Sequence, residues 1–365
     1  MSLTRVRAGV CMLAITVFAV TAAASGDLDS LKAGKADLKS VGALAFGNEG
    51  ILLVGDAMGG AIYALDTGDR TAGRGKVEIA GINEKIAAML GTAADQIMIN
   101  DIAVNPISKK VYLSISRGRG PTAMPVIMRV DAAGKIEELS LANIKHAMAA
   151  LPNPPSVDPN NPRSQNARLE AITDLAYVDG RIFVAGLSNE EFASNLRSIP
   201  FPFQTVDKGT SIEMYHGSHA RFETNSPVRT FVPYKINQES HILAAYTCTP
   251  IVKFPVSALK AGAKVMGTTI AELGAGNRPL DMIIYNKGGK DFILMNNSSR
   301  GVMKMSAAGL DKYQPITSKS EISGIPYETI EALKGVDQLD KLDDANAVIL
   351  AREGNSLNLR TIALP

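Results

Sequence analysis

The sequence predicts an all-β fold, a six-bladed β-propeller with helical insertions on one face. The first observation is a recurring pattern of hydrophobic strand, tight polar turn, second strand ending in small polar residues, and third strand. Its first strands begin near residues 41, 100, 172, 228, 280 and 336. Their mean spacing of about 59 residues exceeds the roughly 40–50 of a four-stranded blade, so the blades carry insertions. The second observation is composition, because 46% hydrophobic and 20% charged residues in a chain of 365 supply a large core.

Each unit consists of apolar strands bounded by turn residues. The first three units contain predicted strands at residues 41–47, 51–57, 61–66 and 76–80, then 100–104, 111–116 and 126–131, then 173–177 and 181–187. The last three contain predicted strands at residues 230–235, 241–247 and 251–256, then 280–284, 292–296 and 302–305, then 337–342, 347–351 and 357–363. The sixth unit has three strands, and we expect residues 36–39 to pair beside 357–363 as its fourth. Ring closure of this kind removes exposed sheet edges.

The N-terminus has the pattern of a secretory signal peptide. Arg5 and Arg7 precede an uncharged stretch, residues 8–20, and an Ala-x-Ala site that predicts cleavage after Ala24. Thirteen residues rise only about 20 Å as a helix, which is short for a bilayer span. No later segment is apolar enough to span a membrane. We therefore expect an exported, periplasmic or extracellular protein, with residues 1–24 as signal and 25–365 as one propeller domain.

Charge and cysteine content exclude several classes of partner and cofactor. Cleavage removes two of the 38 basic residues and none of the 36 acidic ones, which leaves a formal net charge of zero. A neutral chain without a basic cluster is not expected to bind nucleic acid. Cys11 leaves with the signal, so Cys248 stands alone and the mature chain is expected to have no internal disulfide and to be monomeric. No C-x-x-C-H sequence occurs, which excludes covalent c-type haem.

Two segments carry a family resemblance. Residues 51–66, with the sequence ILLVGDAMGGAIYALD, resemble the blade motif of NHL- and YVTN-type bacterial propellers. Residues 279–283, PLDMI, resemble the start of a further blade in such proteins. The resemblance implies the architecture, and it leaves the function open because propellers host unrelated activities.

The connections between blades differ in length on the two faces. Turns between first and second strands are short, whereas connections between blades are long. The long ones comprise residues 82–98 with a predicted helix at 84–90, residues 141–171 with a predicted helix at 143–151 before a proline-rich stretch, and residues 325–333 with a further helical turn. Long connections in compact domains often carry function, so we expect the ligand on this face.

A first candidate site uses the rare residue types. His216 and His219 follow the predicted last strand of the third blade, and Cys248 follows the second strand of the fourth. All three are expected on the insertion-bearing face, and these ligand types suit copper or zinc. His241 begins the strand that ends near Cys248, about 23 Å away by strand rise, and is expected on the opposite face.

A second candidate site uses repeated aspartates. Asp101, Asp174 and Asp281 occupy the same place in three blades, with Asp337 similar in the sixth. Carboxylates that converge at the channel entrance suit Ca²⁺. This placement is similar to that in regucalcin- and gluconolactonase-type six-bladed hydrolases, and the similarity implies a Ca²⁺-dependent hydrolase or lactonase. The alternative is a structural role in which each aspartate caps neighbouring backbone N–H groups.

A third group lies in the turns between second and third strands. These turns and the metal candidate His219 form a predicted ligand-binding rim whose members are Asp56, Arg117, Asn189, Glu190, Asn297, Arg300 and His219. Arginines in such turns clamp a carboxylate or phosphate, or they are simply solvated. The sequence lacks G-x-S-x-G, H-E-x-x-H, P-loop and dinucleotide motifs, and it has no tryptophan to stack on pyrroloquinoline quinone. The leading hypothesis is binding of a small ligand or a protein partner, with the Ca²⁺-dependent hydrolase and the copper- or zinc-binding protein as alternatives.

Overall fold

The computed structural model describes residues 26–158 and 160–365, so the predicted signal at residues 1–24 lies outside the described residues. Six sheets, antiparallel except for one short outer strand pair, surround a central channel, which confirms the predicted all-β, six-bladed propeller. Neither α-helix of the described ranges, at eight residues each, has the length needed to cross a membrane.

The strands are numbered in chain order. The first fourteen are β1 Lys32–Gly34, β2 Leu44–Phe46, β3 Ile51–Asp56, β4 Ala61–Asp66, β5 Glu78–Ile79, β6 Ile97–Val104, β7 Val111–Arg117, β8 Met124–Val130, β9 Ile136–Glu138, β10 Ile144–Ala150, β11 Asp174–Val178, β12 Arg181–Leu187, β13 Ser194–Pro200 and β14 Thr210–His216. The others are β15 Arg221–Glu223, β16 Thr230–Ile236, β17 Glu239–Ala245, β18 Pro250–Pro255, β19 Lys264–Met266, β20 Thr268–Leu273, β21 Pro279–Lys287, β22 Lys290–Asn297, β23 Gly301–Ser306, β24 Ile322–Gly324, β25 Tyr327–Thr329, β26 Val336–Lys341, β27 Asn346–Glu353 and β28 Ser356–Ala363. The α-helices are α1 Ile82–Met89 and α2 Pro162–Leu169.

We number the blades by the chain position of their innermost strand. Blade 1 contains β2, β3, β4 and β10, with β1 on its outer edge, and blade 2 contains β6 to β9. Blade 3 contains β11 to β14 with β15 and β19, and blade 4 contains β16, β17, β18, β20 and β24. Blade 5 contains β21, β22, β23 and β25, and blade 6 contains β26, β27, β28 and β5.

The order of the blades around the ring differs from their order in the chain. The innermost strand of blade 1 contacts those of blades 2 and 3, and the innermost strand of blade 6 contacts those of blades 2 and 5. Blade 4 lies between blades 3 and 5. Around the ring the order is therefore 1, 3, 4, 5, 6, 2, and blade 2 sits between the first and the last blade.

This order corrects the predicted ring closure. Residues 36–39 do not pair with β28, because β5 takes that position through pairs such as Leu359 with Ile79. The segment predicted as the fourth strand of the first unit thus completes blade 6. The vacant edge of blade 1 is filled by β10, which pairs with β4 and leads directly towards blade 3.

The strand β10 also overturns the predicted helix at residues 143–151. Its sequence, IKHAMAA, is rich in residues with high helix propensity. In the fold its backbone pairs with β4 on one side and with β1 on the other, so tertiary hydrogen bonding overrides local propensity. The predicted helix at 84–90 corresponds to α1, and the expected helical turn near residues 325–333 is a short 3₁₀ turn at Glu331–Leu333.

Apolar side chains fill the space between neighbouring blades. In β3, Ile51 and Leu53 pack towards blade 3, whereas Leu52 and Val54 pack towards blade 2. All four side chains are fully buried. A continuous apolar run is therefore required here, since both faces of the strand are covered. One such cluster lies at each of the six blade interfaces.

Candidate metal centre

The repeated aspartates lie at the waist of the central channel. Cavities of 590 and 540 Å³ lie along the channel, and both are lined by Asp101, Asp174 and Asp281. The Asp101 carboxylate accepts one hydrogen bond from the N–H of Ile102 and one from the N–H of Leu44 in the next blade, both at 2.7 Å. Three further aspartates repeat this two-blade pattern, namely Asp174, Asp281 and Asp340.

Burial dominates the electrostatics of this aspartate ring, defined as Asp101, Asp174, Asp281 and Asp340. It raises the pKa of Asp174 to about 7 and that of Asp340 to about 6. The pKa values of Asp101 and Asp281 also lie well above the usual range, because of burial and repulsion from neighbouring ring carboxylates. The contacts support the capping role, since each carboxylate binds N–H groups of two blades.

The sequence predicted Asp337 as the ring aspartate of the sixth blade, and this prediction is wrong by three residues. Asp337 lies at a β-bulge between Val336 and Gln338 and forms a partly exposed ion pair with Arg352. Asp340 instead takes the position in the ring. The same bulge occurs in β6 and β21, where Asp101 and Asp281 directly follow it, whereas in β26 the residue after the bulge is Gln338. The carboxylate that bonds the next blade therefore comes from Asp340, two residues further along the strand.

The predicted rim residues do not gather at one place. Asp56 is buried, and its carboxylate accepts hydrogen bonds from the N–H groups of Lys39, Ser40 and Gly59 at 2.8 Å each. It therefore fixes the segment that leads into β2. Arg117 ends β7 in blade 2, half-buried.

Two further pairs of predicted rim residues lie in different blades. Asn297 and Arg300 line a groove of 920 Å³ on blades 5 and 6, where Arg300 donates to the carbonyl of Gly274 at 3.0 Å. Asn189 in blade 3 is exposed, and the neighbouring Glu190 carboxylate accepts from Asn153 at 3.0 Å. The predicted rim is thus divided among separate surfaces.

His216, His219 and Cys248 do come together. One potential ligand atom from each residue lies within 4.8 Å of those from the other two, and the imidazole centroids are 3.9 Å apart. His216 ends β14, His219 lies in the turn before β15, and Cys248 lies in the turn between β17 and β18. The site therefore joins blade 3 to blade 4. His241 lies at the start of β17, at the other end of the strand from the Cys248 turn.

One carboxylate faces both imidazoles. Nδ1 of His219 lies 2.6 Å from Oε1 of Glu223, and Nδ1 of His216 lies 3.2 Å from Oε2 at ion-pair distance. The Nε2 atoms remain for a further ligand. His216 is 2% exposed, and its Nε2 has no hydrogen-bond partner within the described residues. A carboxylate behind a histidine is the usual arrangement around a histidine-bound metal, because it orients the ring and raises its basicity.

The turn that carries Cys248 has a strained backbone. Cys248 and Thr249 have φ angles of +64° and +58°, a pair of left-handed residues that usually requires asparagine or glycine. The Cys248 N–H donates to the carbonyl of Asn277 at 2.7 Å, which helps to hold the turn in place. Strain of this kind costs roughly 1–3 kcal/mol and is typical of functional sites.

Two glutamates that the sequence analysis missed surround the cluster. Burial raises the pKa of Glu223, but contacts with His216, Ser226 and His219 outweigh it and hold the pKa well below its usual range. Burial raises the pKa of Glu272 to about 7. Oε1 of Glu272 accepts from the Gly217 N–H at 2.6 Å, and Oε2 is buried without a partner in the described ranges.

Gly217 allows this close approach, since a Cβ there would lie 2.9 Å from Cγ of Glu272. The sequence contained a signal for both glutamates. Glu223 lies four residues after His219, and Glu272 is the only charged residue in the strand TTIAEL.

No protein-family model matches the sequence, and no curated protein does. Solved structures are similar only at low identity. An oxidoreductase from Thermus thermophilus, described as a glucose dehydrogenase, is 12% identical, with 91% of this chain and 100% of that chain covered and a TM-score of 0.37. The PQQ-bound aldose sugar dehydrogenase of Streptomyces coelicolor is 10% identical, with coverage of 91% and 98% and a TM-score of 0.34. The WD40 propeller domain of Doa1 is 8% identical, with coverage of 91% and 95% and a TM-score of 0.32. TM-scores this low do not indicate a shared activity. The propeller assignment is based on the six sheets of the structure.

Proposed function

We propose that the protein is an exported β-propeller that binds copper at His216, His219 and Cys248 on its insertion-bearing face. The observation that carries the proposal is the convergence of two imidazoles and one thiol within 4.8 Å. The shared carboxylate of Glu223 supports it, because that carboxylate leaves both Nε2 atoms available. Export is supported by the N-terminal pattern of Arg5, Arg7 and residues 8–20.

The donor set favours copper over zinc. Two histidines and one cysteine form the trigonal set of copper electron-transfer sites, and thiolate with imidazole suits Cu(I). Structural zinc is almost always held by four protein ligands. Within residues 26–158 and 160–365, the group of mutually close ligand atoms consists of these three residues, and the neighbouring Glu223 carboxylate contacts the Nδ1 atoms of the two imidazoles instead.

The burial of the three ligands suggests how copper enters. His216 is buried, Cys248 is half-buried, and the His219 side chain is 43% exposed. An exposed imidazole beside two more buried donors gives an incoming ion its first contact with the protein. The same arrangement keeps the metal close enough to the surface for exchange of the ion, or of an electron, with a partner.

The Ca²⁺-dependent hydrolase has weaker support. The carboxylates of the aspartate ring already accept hydrogen bonds from backbone N–H groups of two blades each. This arrangement explains their repetition without a cation. Calcium at this position stays a prediction of the sequence.

The test is copper titration of the protein purified after expression of the full chain with its own N-terminus. We expect one Cu(I) per chain in competition with a chromophoric chelator. We expect Cys248→Ala and His216→Gln to lower the affinity at least about 100-fold, because each removes a ligand. The matched control is His146→Gln, whose half-buried imidazole lies in β10 of blade 1.

Several outcomes would overturn parts of the proposal. Equal copper affinity of the wild type and Cys248→Ala would exclude the site. One tightly bound zinc ion with weak copper binding would exclude copper as the metal. An intact N-terminus in the mass spectrum of the purified protein would contradict cleavage after Ala24.

A further inference from the structure

A second pocket opens beside the Cys248 turn. The 540 Å³ cavity on one side of the aspartate ring, here called the upper funnel, is lined by polar side chains that include Asn100, Ser116, Glu170, Arg229, Arg278 and Gln338. Arg229 Nε donates to the Thr247 hydroxyl at 3.1 Å, directly before Cys248. Arg278 follows Asn277, whose carbonyl accepts from the Cys248 N–H. The funnel and the metal cluster therefore share one face.

The charges of the funnel mouth do not balance. Arg229 and Arg278 each directly precede an innermost strand, of blade 4 and blade 5 respectively. Arg229 pairs with Glu170 at 2.6 Å. Arg278 is exposed at the mouth of the funnel, and its guanidinium has no hydrogen-bond or ion-pair partner in the part of the chain that the structure describes. Partial desolvation, followed by repulsion from Arg229, lowers its pKa. Two guanidinium groups thus face one carboxylate.

The carboxylates below do not neutralise this excess. Asp101, Asp174 and Asp281 line the funnel, but they accept hydrogen bonds from backbone N–H groups and their pKa values are raised by burial. The oxygens of these carboxylates are bonded to backbone N–H groups, and within the described residues none of them forms an ion pair with Arg229 or Arg278. The positive charge at the mouth is therefore left for a ligand anion, since an anion between two guanidinium groups relieves their repulsion.

The wall of the funnel offers groups for uncharged polar atoms. Thr230 is 2% exposed and lines the funnel, and its hydroxyl approaches the Asp174 carboxyl without hydrogen-bond geometry and lacks another partner within the described residues. A buried hydroxyl without a partner is unfavourable, and a ligand hydroxyl would supply the missing hydrogen bond. The amides of Asn100 and Gln338 donate to the Val41 and Asn100 carbonyls, so their amide oxygens remain available.

We propose that the upper funnel binds a small hydroxycarboxylate, with its carboxylate on Arg278 and Arg229 and its hydroxyl groups towards Thr230 and the aspartate ring. A cavity of 540 Å³ accommodates a molecule of this size. The site is independent of copper, since none of its residues is a proposed metal ligand.

The experiment is calorimetric titration of the purified metal-free protein with threonate, with the polyol threitol as its neutral counterpart. We expect threonate to bind and threitol to bind at least about tenfold more weakly, because charge-assisted hydrogen bonds to guanidinium are the strong ones. Arg278→Gln should weaken threonate binding by a similar factor, and Arg278→Lys should weaken it less. The control is Arg74→Gln, which makes the same charge change at an exposed residue between β4 and β5.

The outcomes separate this site from the metal centre. Cys248→Ala should bind threonate as the wild type does, so loss of copper binding leaves the funnel intact. Equal binding of threonate and threitol, or equal binding by Arg278→Gln and the wild type, would overturn the proposal. Inorganic phosphate that binds as tightly as threonate, and is equally sensitive to Arg278→Gln, would show a general anion site and exclude the hydroxycarboxylate. A circular dichroism spectrum of each variant checks its fold.

Discussion

The aspartate ring and the histidine–cysteine cluster both collect ionisable side chains, yet they differ in how their polar atoms are satisfied. Each ring carboxylate accepts N–H groups from two neighbouring blades, and the arrangement repeats in four blades. The cluster occurs once, and the buried Nε2 of His216 has no partner in the described part of the chain. A repeated and satisfied polar group indicates architecture, whereas a single group with an open nitrogen indicates a ligand.

Removal of a ring carboxylate should produce the largest loss of stability. Asp101→Ala leaves the N–H groups of Leu44 and Ile102 without their acceptor, at about 1–3 kcal/mol each, so we expect the free energy of unfolding to fall by about 2–6 kcal/mol. Denaturant unfolding monitored by circular dichroism measures this. Copper stoichiometry at low temperature should stay at one per chain. A variant as stable as the wild type would show that the ring does not hold the blades together.

A smaller effect, on copper affinity, is expected from the carboxylate that contacts the two ligand imidazoles. Glu223→Gln keeps the shape of the side chain but removes the charge that faces His216 and His219. We expect copper affinity to fall about 10- to 100-fold, the usual cost of a changed outer-shell carboxylate. Competition with a chromophoric Cu(I) chelator measures it, and Glu239→Gln at the opposite end of blade 4 is the control. Unchanged affinity would show that Glu223 does not orient the ligands.

A third expected effect is a change in how the free energy of unfolding depends on pH. The pKa of Asp174 is raised to about 7 in the folded state, above the unfolded value near 4, so the folded state binds the proton more tightly. The resulting stabilisation is present below pH 4 and is lost as the pH rises to about 7. Asp174→Asn cannot ionise, so the wild type should lose stability relative to this variant across that interval. Denaturation midpoints from pH 4 to pH 8 test the sign, and parallel curves would contradict the raised pKa.

The sequence predicted the blades well where local pattern and tertiary structure agree. The run from Ile51 to Val54 is apolar on both sides because two blades cover it, and this run identified the first blade. The sequence could not predict that β5 pairs in blade 6 and that β10 takes the outer position in blade 1, because such pairing depends on contacts between distant segments. β5 is only two residues long, and β10 has the composition of a helix.

The candidate sites follow the same division. The shared face of His216, His219 and Cys248 could be inferred from strand direction, since all three lie near strand ends. Their approach within 4.8 Å could not, because it depends on how blades 3 and 4 pack. The ring position of Asp340 could not be inferred, because Asp340 lies two residues beyond Gln338, which occupies the place in β26 that Asp101 and Asp281 take after the bulges of their strands. Glu223 was missed because its role depends on its contacts with His216 and His219 in the fold. Arg278 was missed because its role depends on having no ion-pair partner within the described residues.

The pairing of β5 in blade 6 has a consequence for how the chain reaches its final shape. The Val77 N–H meets the Thr361 hydroxyl 284 residues further along, so the outer edge of blade 6 is assembled from the two ends of the polypeptide. During synthesis the segment around β5 has no partner strand until nearly the whole chain has emerged. Contacts of such long range make folding slow and leave an open edge exposed to other chains in the meantime. The export proposed above would benefit from this delay, because the ring cannot close before β28 is released.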